Sequence, residues 1–263
     1  MRTMVSFPNP FHRPKTLNVI ATDVARVPDS VRVFAFGDVH GRSDLLGELH
    51  QMISEDLAMR PPGRSIVIGL GDYIDRGPDS TGVLDLLINL RRYHDTMLLK
   101  GNHEALLMSF LDDPSRAGPS WFRNGGWETL VSYDVECSPN TTSEAELIEI
   151  RDAFLERIPQ AHLAILNSMA RSATVGDYFF VHAGARPGVP LANLKERDAL
   201  WIRDGFSDRD EPFERIVVHG HTPVTDVFVG HHRINLDTGA YATGKLSCIV
   251  LQGDNRRFLE VAG

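Results

Sequence analysis

Residues 31–41 read VRVFAFGDVHG, residues 65–77 SIVIGLGDYIDRG and residues 96–104 TMLLKGNHE. Each opens on a short apolar run, Val31–Phe36, Ser65–Leu70 and Thr96–Leu99, which predicts a buried strand. Each then breaks at glycine into ionisable residues. Between the first two runs, Leu45, Leu46, Leu49, Met52 and Ile53 share one face of a helix, with Ser43 placed to cap its start. Val83–Leu90 reads as a second helix, entered through Pro78, and a third begins near Glu104. Strands and helices in this alternation predict a parallel sheet with helices on its faces.

Working outward, Tyr178–Val181 and Ile216–Val218 are further apolar runs, and residues 224–262 hold several strand-like runs with glycine turns, including GHHRINLDTGAY and KLSCIVLQG. These predict a second, antiparallel or mixed sheet against the first. Residues 105–170 are rich in helix formers and polar loops and read as a helical cap inserted in the same domain. Residues 1–30, broken by prolines, read as an N-terminal arm. The expectation is an α/β domain over residues 31–263, two mixed sheets in a sandwich flanked by helices.

The chain has 263 residues, 42% of them hydrophobic, enough for one large core without disulfide staples. Its net charge of −8 provides no basic face, which argues against a nucleic-acid backbone as partner. Cys137 and Cys248 form no CxxC pair, so neither a zinc ribbon nor a disulfide framework is expected. No apolar run reaches membrane-spanning length, and the N-terminus lacks the apolar region of a secretory signal. A cytoplasmic setting is the expectation.

The chemistry lies just past the strands. In an open α/β sheet the carboxyl ends of the strands converge on one edge, where such folds place their sites. That edge receives Asp38 and His40, then Asp72, Asp75 and Arg76, then Asn102 and His103. Two later strands end alike, FFVHAG with His182 and VVHGHTP with His219 and His221. Carboxylate, imidazole and amide together suit Mn²⁺, Fe or Zn²⁺ better than a thiolate-selecting metal. Two divalent ions bring about +4; two carboxylates and a bridging hydroxide leave about +1 to receive a phosphate dianion, whereas a single ion leaves about −1. Taken singly, each motif reads as a polar turn or a helix start. Together, in order, each after a strand, they read as one metal site.

The series GDVHG, GDYIDRG, GNHE, HAG and GHTP resembles the phosphoprotein phosphatases within the calcineurin-like metallophosphoesterases, nearest to their bacterial and bacteriophage-type serine/threonine members. NGGW, LWIR and NLDTGAY have counterparts there too. The resemblance implies the four-layer fold of that family. It implies that Asp38, His40 and Asp72 hold a first ion, and Asp72, Asn102, His182 and His221 a second, with Mn²⁺ first and Fe, Zn²⁺, Co²⁺ or Ni²⁺ as alternatives. A bridging hydroxide would attack phosphorus. His103, held by Asp75, would protonate the leaving oxygen, and Arg76 and Arg203 would grip the phosphoryl group, with Arg186 competing for the second clamp. Many relatives end in GHxH, but Pro223 stands in that last place here. His219 then reads as a supporting histidine and Asp237 as a turn cap.

The substrate implied is a phosphorylated protein, at serine or threonine and then tyrosine, or a small phosphoester, with no nucleic-acid or membrane partner. Two rivals stand beside it. One is a symmetrical diadenosine tetraphosphate hydrolase, whose relatives tend to relax the second and third motifs that are intact here. The other is a silent scaffold, disfavoured because every ligand, His103 and Asp75 are kept. Trp121, Phe122, Asn124 and Trp127 read either as a wall of the substrate cleft or as the cap's own core.

Overall fold

The computed structural model describes residues 22–263 together with Thr3–Met4 (β1) and Asn18–Val19 (β2), which pair antiparallel. Strands β3 (Val31–Phe36), β4 (Arg64–Gly69) and β5 (Asp95–Leu98) run parallel, joined by α1 (Ser43–Met59) and α2 (Ser80–Tyr93). Phe36 pairs with Gly69 and Gly69 with Leu98, so the three strands end level and release their motif loops at one edge. Ser43 does not cap α1. Arg42 holds that position, and the Ser43 hydroxyl, one residue inside the helix, donates instead to Asp79. Asp79 caps α2 by accepting from Gly82 N at 2.8 Å.

The second sheet has the order β6 (Ser172–Val175), β7 (Tyr178–Val181), β8 (Ile216–His219), β10 (Arg233–Asn235), β9 (Phe228–Val229), with β7, β8 and β10 parallel. Only part of residues 224–262 joins it. The long strands β11 (Lys245–Gln252) and β12 (Asn255–Ala262) cross to the first sheet, β11 lying antiparallel beside β3. The physical reason is burial. Leu246–Leu251 is buried on both faces, as a strand inside a covered sheet must be. Set beside β3, it removes an exposed edge from the first sheet.

Alternation along the strands sorts the core into layers. Val33, Ala35, Ile66, Ile68, Ile249 and Leu251 face Phe180, Ile216, Val218 and Ile234 across the sandwich. Phe34, Phe36 and Val67 point the other way, into α1, α2 and the cap. Helices α3 (Asn102–Asp112), α4 (Pro114–Arg123), α5 (Gly126–Ser132), α6 (Glu144–Arg157) and α7 (Gln160–Asn167) fill the inserted region. Their Phe110, Trp121, Leu130 and Phe154 pack in the same cluster as Phe34 and Phe36, so the cap shares the domain's core. Outside the second sheet, Phe179, Val181 and Val217 pack on Phe206, Phe213 and Leu191. The proposed arm, residues 1–30, falls mostly outside the described residues, but its last part is docked. Ala25 and Val27 are buried between the sheets, and Val27 N bonds to Gly253 O. No helix among the described residues is long and apolar enough to cross a membrane.

Candidate metal centre and active site

The level strand ends bring Asp38, His40, Asp72, Asp75, Asn102 and His103 together, and β7 and β8 add His182 and His221 from the second sheet. All eight are buried. Asp72 is central: its Oδ2 lies 3.7 Å from His40 Nε2, 3.4 Å from His182 Nε2 and 3.8 Å from His103 Nε2. Its Oδ1 accepts from His103 N at 3.0 Å. On one side, His182 Nε2 is 2.9 Å from Asn102 Oδ1 and 3.2 Å from His221 Nδ1. The two sheets are stitched at this point, because Asp38 Oδ2 accepts from His221 N at 3.1 Å.

Forming the loops requires unusual backbone. Among the described residues, His40, Asp72, Asp75, Arg76, His221 and Asp134 are the non-glycine residues with positive φ, and all but Asp134 belong to the site. Each such position costs about 1–2 kcal/mol, so strain is concentrated where five chemical groups must turn inward. Glu104, which sequence reasoning passed over, carries much of the compensation. Its carboxylate accepts from Asp72 N at 2.9 Å, Tyr73 N at 2.8 Å and Gly101 N at 2.8 Å, tying the second motif to the third. Its signal was its place three residues after Gly101, where a capping box puts a carboxylate.

The donor set fits divalent ions. His40 Nδ1 donates to Ile74 O and His182 Nδ1 to Leu70 O, so each ring turns its Nε2 towards Asp72. Burial, with His103 beside it, pushes His40 down to about 3, so the ring is neutral as a ligand must be. Burial and His182 likewise bring His221 to about 2. Burial pushes the Asp38 carboxyl well above its usual range, and the Asp237 and Asp72 carboxylates add to it. Such a cluster calls for a cation. Ligand atoms of His40, Asp72 and His103 lie within 4.8 Å of one another, as do those of Asp72, His182 and His221, so the two groups share Asp72.

His103 differs from the other histidines of the site in its partners. Its Nδ1 is 2.7 Å from Asp75 Oδ2, and its buried Nε2 has no hydrogen-bond partner. Burial alone would lower it, but the Asp72 and Asp75 carboxylates outweigh that and raise its pKa. Asp75 is itself fixed from the cap, accepting from Trp121 Nε1 at 2.9 Å and Thr129 Oγ1 at 2.6 Å. Trp121 is thus both cap core and a support of the site. Phe122, Asn124 and Trp127 line a groove of about 380 Å³ beside Arg76, shared with Arg123, Glu128 and Tyr241.

Both arginines reach the site. Arg76 NH1 lies 3.1 Å from His40 Nε2, with its guanidinium over the Tyr241 ring at 5.0 Å. Arg203 Nε lies 3.1 Å from His221 Nε2. Arg186 is paired instead with Asp198 at 2.7 Å. Tyr241, whose ring also sits 5.4 Å from that of His40, carried no sequence signal beyond its place at the end of NLDTGAY. His219 packs behind the site on Arg233 NH1 at 3.2 Å, and Asp237 accepts from Gly239 N, a turn cap.

A Cβ at position 101 would strike Asp72 Oδ1 and the Asp72 backbone N. Gly101→Ala is therefore expected to weaken Mn²⁺ binding by roughly 10–100-fold, the usual cost of disturbing a ligand's supports. Titration calorimetry on chelator-stripped protein checks this, and unchanged affinity would refute it.

The calcineurin-like phosphoesterase model matches residues 31–250. The asymmetrical bis(5′-nucleosyl)-tetraphosphatase PrpE of Anoxybacillus flavithermus is 27% identical over 232 residues, covering 81% of this chain and 87% of its own. Serine/threonine-protein phosphatase 1 of Salmonella typhimurium is 29% identical over 233 residues, covering 84% and 92%. A crystal structure described as a diadenosine tetraphosphatase candidate superposes with a TM-score of 0.59 at 20% identity, covering 91% of this chain and 98% of its own. A match over residues 31–250, with every motif loop gathered at one edge, means that the chain belongs to the calcineurin-like phosphoesterase family and is a phosphoric ester hydrolase.

Proposed function

We propose that this phosphoesterase is a phosphoprotein phosphatase acting on phosphoserine and phosphothreonine, and secondarily on phosphotyrosine. Asp38, His40 and Asp72 hold one divalent ion, and Asp72, Asn102, His182 and His221 the other, with Mn²⁺ the first choice. Bound there, the ions supply Lewis-acid polarisation and a water of lowered pKa. The rest is the work of the side chains. His103 hands its Nε2 proton to the departing oxygen, while Asp75 fixes the ring and stabilises its charge. Arg76, beside His40, and Arg203, beside His221, offer paired donors to the phosphoryl oxygens.

The observation that carries the reading is the buried His103–Asp75 pair, whose unpartnered Nε2 is poised over Asp72. It matters most for a poor leaving group such as an alkoxide. The groove beside Arg76, lined by Asn124, Trp127 and Glu128, has room for the residues flanking a phosphoserine.

A second reading has its own support, since relatives named for either substrate match this chain. The curated relatives named for dinucleotides carry the asymmetrical label, which supports an asymmetrical hydrolase as the rival beside the symmetrical one expected from sequence. The test strips the protein with chelator, restores Mn²⁺, and compares kcat/KM for a phosphoserine peptide with that for diadenosine tetraphosphate. A clear preference for the peptide is expected. A preference for the dinucleotide overturns the proposal and leaves the metal chemistry standing.

A further inference from the structure

Arg233 is a buried guanidinium, 6% exposed, whose hydrogen-bond partners are two carbonyls and an imidazole. Asp208 and Asp210 act on it only at longer range. Burying such a charge is costly, and an aliphatic side chain between Phe206 and Phe228 would pack there without that cost. The use of its donors suggests why a charge is kept. Nε donates to Arg209 O at 2.9 Å and NH2 to Ser207 O at 2.6 Å, while NH1 lies 3.2 Å from His219 Nε2. The Phe228 ring covers the guanidinium at 4.2 Å and Phe206 lies at 5.7 Å.

These partners lead to one place. Ser207 and Arg209 belong to the turn that opens at Arg203, whose carbonyl accepts from Phe206 N at 3.1 Å and Ser207 N at 2.8 Å. Arg203 in turn donates from NH2 to His221 O at 3.1 Å. The third partner, His219, is bonded to Gly220 O and leads directly into His221. One planar fork therefore holds both the turn that carries Arg203 and the strand end on which Arg203 rests.

We propose that Arg233 is a positioning residue for the phosphate clamp: it locks the 203–209 turn against residues 219–221 and so sets where Arg203 meets the phosphoryl group. The inference rests on the clamp role given to Arg203 above. It does not depend on what the phosphate is attached to.

The test uses the Mn²⁺-loaded enzyme with p-nitrophenyl phosphate as substrate and orthophosphate as inhibitor. Arg233→Met is expected to raise KM and the phosphate Ki together by about tenfold, with kcat changed by less than about threefold, the pattern of lost uniform binding. Arg233→Lys should restore little, because an ammonium cannot span two carbonyls and an imidazole in one plane. In an Arg203→Ala background, Arg233→Met should add nothing further. Independent, additive losses would overturn the positioning role while leaving the clamp intact. An unchanged phosphate Ki in Arg203→Ala alone would remove the clamp, and this proposal with it. If Arg233→Met fails to fold, Phe228→Ala uncovers the guanidinium from the exposed side. It should raise the phosphate Ki by about two- to threefold, and an unchanged value would refute the inference.

Discussion

Replacing His103 by Asn is expected to lower kcat on a phosphoserine peptide by about 10²–10⁴-fold, the range that a lost general acid costs. The side chain is fully buried, bonded to Asp75 through Nδ1 and unpartnered at Nε2. In the proposed role, what the ring offers a substrate is therefore one proton at one nitrogen. Asparagine at this position keeps the backbone N–H that Asp72 Oδ1 accepts, so the bridge between the motif loops survives the change. Metal content should stay near that of the unaltered enzyme. The decisive measurement compares leaving groups. With p-nitrophenyl phosphate, whose leaving oxygen needs little protonation, the loss should shrink to about tenfold. Equal losses on both substrates, or metal content falling with activity, would mean that His103 serves the ions and not the leaving group. Asp75→Asn should show the same dependence on leaving group at smaller amplitude, since Trp121 and Thr129 still hold that side chain in place.

The gathering of these groups at one edge was legible because the signal is local and repeated. An apolar run that stops at glycine, followed by ionisable residues, states both a strand and its end. Asp38, Asp72 and Asn102 each follow such a run, and the level pairing of Phe36, Gly69 and Leu98 does the rest. The destination of β11 was not legible. KLSCIVLQ is apolar on both faces, so periodicity cannot say which sheet it extends; only the otherwise open flank of β3 decides it. Ser43 misled because a helix start depends on backbone geometry as well as residue type, and its hydroxyl found Asp79 instead. Glu104 and Thr129 act across 32 and 54 residues of sequence, on Asp72 and Asp75, a reach that no local pattern records. Tyr241, an exposed ring in a short helix, acquires meaning only when Arg76 is folded over it. Substrate identity remained outside the motifs for a different reason. They build a site that activates water and receives a phosphoryl group, and neither of those tasks depends on whether a serine or a nucleotide leaves.

Asp72→Asn carries the largest expected effect, because Asp72 is the residue shared by both ligand groups. Its Oδ2 is the common neighbour of His40, His182 and His103, while Oδ1 is fixed by the His103 amide. An amide at this position offers a single neutral oxygen. It also turns two N–H donors towards the neighbouring Nε2 atoms or towards the ions themselves. The negative charge that lets two cations sit close together is lost, and their repulsion then acts in a buried site where water screens it poorly. The expected result is fewer than two Mn²⁺ bound per chain and a fall in kcat/KM of about 10³-fold or more, since both water activation and phosphate neutralisation depend on the pair. Thermal unfolding supplies a reading independent of activity. The unaltered protein should gain several degrees in Tm when Mn²⁺ is restored at roughly 100 times its Kd, an effect worth about 2.7 kcal/mol by mass action. The variant should gain much less. Asp237→Asn is the matched control: equally buried, but outside both ligand groups and with Oδ1 accepting from Gly239 N, it should keep two ions and most of the Tm gain. If Asp72→Asn still binds two Mn²⁺ with undiminished stabilisation, Asp72 is not the bridge, and the division of ligands between the two ions has to be redrawn around Asp38 and Asp237.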